Sequence, residues 1–146
     1  MGASRLLKGL GPAVAGLSLV VTTGGCGDID DQSMCTAYDD FLRAAASVQD
    51  ADVESLTADE AEALGQDYLD SVRRLEETAD DRHDVLLNNL EAVVRDVVLT
   101  LSSVQDDEDY STWAPLVEDD LELAAEATVA VDDVMETQCP DSGGRS

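Results

Sequence analysis

The sequence predicts an all-α domain, an antiparallel four-helix bundle. Three observations point there. Four successive stretches carry apolar residues at alternating spacings of three and four, the period of a helix that buries one face. The segments between them are short and polar, as connections in such bundles are. A cysteine stands at each outer border of the region, Cys35 at its start and Cys139 at its end.

The first stretch places Met34, Tyr38, Phe41, Ala45 and Val48 on one face, with Ser33 or Asp31 able to cap its start. The second opens with Thr57-Ala-Asp-Glu60, the pattern in which a threonine side chain and a glutamate three residues on satisfy each other's backbone N–H groups. Its stripe is Ala61, Leu64, Tyr68, Val72, Leu75 and Ala79. Asp80 or Asp81 can cap the third. That stripe runs Leu86, Leu90, Val93, Val97, Leu101 and Val104, widened by Leu87, Val94 and Val98. Its many valines are mildly unfavourable in a helix, so a strand is the rival assignment; the period near 3.6 and the length favour helix. Residues 105–112, QDDEDYST, read as a loop. Pro115 then fits the first turn of a fourth helix, with Glu118, Asp119 and Asp120 at its positive end. Its stripe is Val117, Leu121, Ala124, Thr128, Val131 and Met135, and Pro140 with Gly143-Gly144 ends the fold. No Gly or Pro separates the second and third stretches, so one long rod is the alternative to two helices.

The chain has 146 residues, with 33 acidic and eight basic side chains and a formal charge of −25. Two of the basic residues, Arg5 and Lys8, precede every acid. Without them six arginines face 33 acids, a charge of −27. Such a surface repels phosphate backbones, so nucleic acid is not an expected partner. It favours solubility and says little about fold. The size suits one small domain.

The first 26 residues have a different character. Arg5 and Lys8 form a positive start, and residues 10–21, LGPAVAGLSLVV, form an apolar run of 12 residues. That run is too short for a membrane span, which needs about 20 residues, and it matches a secretory signal peptide. Small residues and then Cys26 follow. This order resembles the signal of a bacterial lipoprotein, although Thr23 stands where that class usually has an aliphatic residue. The resemblance covers residues 1–27. It implies that Cys26 receives a diacylglycerol and becomes the first residue of the mature chain. The division is then a signal peptide at 1–25, a lipidated tether at 26–32, a helical bundle at 33–140 and a disordered tail at 141–146. Localisation follows: lipid-anchored in the cell membrane, facing outside the cytoplasm. An ordinary signal peptide cut nearby is the alternative.

Cysteine parity agrees with the anchor. An odd thiol is a liability outside the cytoplasm. Lipidation of Cys26 leaves Cys35 and Cys139 to pair as a disulfide. An up-down-up-down bundle brings the start of helix 1 and the end of helix 4 to one end, where Cα atoms roughly 4.4–6.8 Å apart can be bridged.

Groups that carry chemistry are scarce. His83 is the only histidine, and the mature chain has no lysine. No Glu-x-x-His pair marks a di-iron site and no Gly-x-Ser-x-Gly elbow is present. Asp28 to Ser33 lacks the glycine and distal glutamate of a calcium loop. The acids at 106–109 fit a solvated helix-capping loop. Tyr110 and Trp113 fit a lid over one end of the core, or a contact surface. No metal, cofactor or catalytic residue is therefore expected. The expected function is a non-enzymatic binding or interaction module, its partner a protein or a cationic surface. The alternative is a carrier of a small apolar or cationic ligand, which would need a cavity; the small residues Ala45, Ala61, Ala124 and Thr128 fit either such room or tight helix packing. A hydrolase with paired carboxylates is the third possibility.

Overall fold

The computed structural model describes the backbone of residues 27–144 and the side chains of residues 32–143. The signal segment and Cys26 lie outside the described residues. Among the described residues there are four α-helices: α1 (Gly27–Asp50), α2 (Ala58–Thr78), α3 (Asp84–Ser102) and α4 (Tyr110–Gln138). No strand occurs among the described residues, so the valine-rich third stretch is helical.

Helix α1 starts at Gly27, within the expected tether, and Ser33 therefore lies inside the helix rather than at its cap. At α2 the expected reciprocal cap is present. Thr57 accepts from the Glu60 N–H, and the Glu60 carboxylate accepts from the Thr57 N–H at 3.0 Å. The two preceding orphan donors, Ala58 N–H and Asp59 N–H, go to the carbonyls of Glu108 and Asp106 at 3.0 and 3.2 Å. The acidic loop thus caps α2 through its backbone.

Helices α2 and α3 are separate. Ala79 ends α2 in an extended conformation, and Asp80 caps a short 3-10 turn, Asp81–His83, by accepting from the Arg82 N–H at 3.0 Å. Helix α4 begins at Tyr110, within the stretch 105–112 expected to be a loop. Pro115 lies inside it rather than in its first turn. Its missing N–H leaves the Ser111 carbonyl without a helical donor, but Ser111 is exposed and water can take that bond. Residues 142–144, expected in the tail, form a 3-10 turn packed on α1. There Gly143 adopts φ +77° and donates its N–H to Asp39 Oδ1 at 2.8 Å.

Helix α2 packs against both α1 and α3, and α3 packs against α4. Helices α1 and α4 touch sparsely. They are joined near one end by the Cys35–Cys139 disulfide, with Cα atoms 5.5 Å apart. The buried Tyr38 hydroxyl donates to the Asp132 carboxylate beside it.

The core forms two clusters. The larger centres on Tyr38, Phe41, Val72, Leu75, Leu90 and Val131, and the Phe41 ring lies 5.7 Å from that of Tyr68. The smaller holds Ala58, Ala61, Val97, Leu101, Trp113 and Val117. On α3 the buried face is turned from the expected stripe. Leu87, Val94 and Val98 are buried, whereas Leu86 and Val93 are half-buried.

Charge is unevenly balanced on the α2–α3 face. Arg73 Nε pairs with Glu91 Oε1 at 3.0 Å. Next to it, burial first and then the charges of Glu91 and Asp84 hold the Glu76 carboxyl above its usual range. A carboxyl whose folded pKa exceeds its unfolded one destabilises the fold once ionised. The penalty is full at neutral pH and is lost as pH falls below the ordinary carboxylate range. Glu76→Gln is therefore expected to raise unfolding stability at pH 7 by roughly 0.2–1 kcal/mol, the range for exposed charge pairs. The gain should vanish near pH 4 in paired urea titrations; a gain equal at both values would exclude a charge origin.

Candidate functional site

Beneath the gap between α1 and α4 lies a cavity of about 250 Å³. Residues of both core clusters line it. Ala45, Tyr68, Val94 and Ala124 of the larger cluster form one wall, and Ala61, Val97, Leu101, Trp113 and Val117 of the smaller form the other. Its cause is side-chain size. Ala45, Ala61, Gly65, Ala124 and Ala125 line it from three helices and leave unfilled what larger side chains would occupy. Gly65 also permits a close approach of α2 and α3, because a Cβ there would meet Val98 Cγ2 at 3.1 Å. The four small residues singled out from the sequence, Ala45, Ala61, Ala124 and Thr128, all line this cavity.

Three residues expected in the core, Val48, Leu64 and Leu121, line the cavity instead of being buried. Val48 and Leu64 are half-buried, and Leu121 is 41% exposed. Leu121 shares the mouth with Gln49, Val53 and Val129, all exposed. An apolar stripe on α4 that would face α1 in a closed arrangement here faces an opening.

Polar groups at the cavity are few. Tyr68 and Thr128 meet through their hydroxyls at 2.5 Å. Thr128 also donates to the Ala124 carbonyl at 2.6 Å. Burial pushes the Tyr68 phenol up to about 12, against a smaller opposite effect of the Thr128 hydrogen bond. The Trp113 indole N–H donates to the Leu56 carbonyl at 3.0 Å. Gln49 is the remaining polar side chain. No ionisable acid or base other than Tyr68 lines the cavity.

Trp113 is 3% exposed and closes the far end of the core, with the Tyr110 ring packed edge-on at 5.1 Å. The Ser111 hydroxyl, donating to Asp109 Oδ1 at 2.6 Å, holds that carboxyl below its usual range just before α4. A second, shallow cleft between α1 and α2 is polar. It contains Asp40, Glu77 and Arg74, and Arg74 Nη1 stands 3.7 Å from Asp40 Oδ2, an ordinary surface ion pair.

Cys35 and Cys139 are joined, as their placement led one to expect. His83 is half-buried: the Gln138 amide donates to its Nε2 at 2.5 Å, tying the start of α3 to the end of α4. The lipidation position, Cys26, lies outside the described residues, as do the side chains of Asp28 to Asp31. Among the described residues no cluster of His, Cys, Asp or Glu could hold a metal ion. Among the same residues no helix is long and apolar enough to cross a membrane. The sequence signal for the cavity was the run of small residues on facing stripes; the loss of closure between α1 and α4 left no sequence signal. No protein-family model matches the chain, and neither a curated protein nor a solved structure matches it.

Proposed function

We propose that the mature chain is a non-enzymatic, lipid-anchored carrier outside the cytoplasm, folded as an antiparallel four-helix bundle, that holds a small apolar ligand between α1 and α4. The observation that carries the proposal is the apolar cavity, which is lined by residues of both core clusters. Packed interiors leave few voids larger than a water molecule, and a dry apolar cavity of about 150 Å³ already accepts benzene. No carboxylate lines this one, which favours an apolar over a cationic ligand. The antiparallel arrangement is supported by the short connections and by the bridge from the start of α1 to the end of α4. The anchor is supported by the positive start, the apolar run and Cys26. An unacylated Cys26 in the mass spectrum of the exported chain would remove it.

Trp113 is the only tryptophan and stands in the cavity wall, so its fluorescence reports occupancy. A binding ligand at about 100 times its Kd also raises stability by about 2.7 kcal/mol. Ala124→Leu fills the cavity from α4. It is expected to abolish both signals while raising unfolding stability by about 0.5–2 kcal/mol, the usual gain from filling a void. Wild-type protein whose melting and fluorescence are unmoved by benzene or eight-carbon probes would exclude the carrier function.

A further inference from the structure

The polar pair at the cavity determines more than its presence. Resting on the carrier function above, we infer that the ligand is a neutral amphiphile with one hydrogen-bond donor, of the alcohol class, and is neither a carboxylate nor an acceptor-only molecule. The hydrogen-bond inventory fixes this. The Ala124 carbonyl can only accept, so the Thr128 hydroxyl proton is committed to it. With that proton spent, the Tyr68 hydroxyl must donate to Thr128 Oγ1. Both protons are used, and what remains on the two oxygens is acceptor capacity. The Trp113 N–H is spent on the Leu56 carbonyl. Gln49, exposed at the mouth, offers its amide in competition with water. The interior of the cavity can therefore accept a hydrogen bond but has no side-chain proton to give.

An alcohol satisfies such a site. A ketone or ester would place its oxygen against lone pairs and lose its water without compensation. A carboxylate fares worse, because no Lys or Arg lines the cavity and six arginines face 33 acids in the chain after Cys26. Size follows from volume. Scaling from benzene in about 150 Å³, the cavity holds roughly ten non-hydrogen atoms.

Three probes of matched length separate the possibilities: 1-octanol, 2-octanone and octanoate, titrated into the full mature protein and followed by Trp113 fluorescence and melting temperature. Octanol should bind about fivefold more tightly than octanone, the value of one net hydrogen bond. Octanoate should bind at least tenfold more weakly than octanol. Thr128→Val frees the Tyr68 proton to point at the ligand. In that variant octanone should gain about fivefold and draw level with octanol. Tyr68→Phe, which leaves only the Thr128 oxygen as acceptor, should still prefer octanol to octanone and serves if Thr128→Val does not fold. Octanone or octanoate binding wild-type protein as tightly as octanol would overturn the inference and leave the carrier function standing. An octanol preference that Thr128→Val leaves unchanged would also overturn it. If none of the three probes binds, the carrier function itself falls.

Discussion

Replacing Cys35 and Cys139 with serine should lower the unfolding free energy by about 4–5 kcal/mol. The bridge closes a loop of 104 residues, and in the chain-entropy account a loop near that length removes about 4.7 kcal/mol of freedom from the unfolded chain. For a domain of this size the loss corresponds to roughly 15–20 °C in Tm. Local structure places the bridge where the fold has little else to hold it. Helices α1 and α4 share little packing, so the disulfide and its polar neighbours hold that seam together. Those neighbours are Tyr38 on Asp132, Ser142 on the Cys35 carbonyl and Gly143 on Asp39. On α4, Asp132 stands within one turn of Val129 at the cavity mouth. Loss of the bridge is expected to let the helices part there too, weakening ligand binding along with stability. Urea unfolding of the double variant, set beside wild-type protein kept reduced, measures the effect. A loss below about 1 kcal/mol in both samples would show that the bridge does not constrain the fold.

Local signals proved legible where the interaction they encode is itself local. The Thr57–Glu60 reciprocal cap spans four residues and appears as written. The cysteines were legible because pairing depends on parity and on where helices end. Helix α4 shows the opposite case. Pro115 is suited to a first turn, and the residues before it, rich in Asp and Ser, suit a loop. The helix nevertheless begins at Tyr110, because Trp113 is buried among residues of α2 and α3 that no local rule can see. The cavity divides the same way. Its small lining residues could be picked out as room between helices. That the room is open could not, because Val48, Leu64 and Leu121 keep the same period whether they face a helix or a void. Closure depends on whether α1 reaches α4, a distant relation set by the sum of many packing choices.

Trp113→Ala should cost about 3–5 kcal/mol, the range for deleting a buried aromatic side chain. Three losses combine at this position. The indole is buried in the smaller cluster with Ala61, Val97, Leu101 and Val117, and its removal leaves a void beside the existing cavity. The Leu56 carbonyl loses its donor at 3.0 Å, and the Tyr110 ring loses its edge-on partner. Trp113→Phe separates these contributions: it keeps a ring in the cluster and removes the indole N–H, and should cost about 1 kcal/mol for the hydrogen bond plus part of the packing. The alanine variant also tests why α4 starts where it does. If burial of Trp113 overrides the local preference, then without it residues 110–114 should fray and the helix should start near Pro115, where the local signals place it. Amide hydrogen exchange reads this directly. Protection at Ala114 should fall sharply in Trp113→Ala while residues beyond 119 keep theirs. Unchanged protection at Ala114 would mean that the early start of α4 has a local cause, and that Trp113 occupies the core without organising the helix around it.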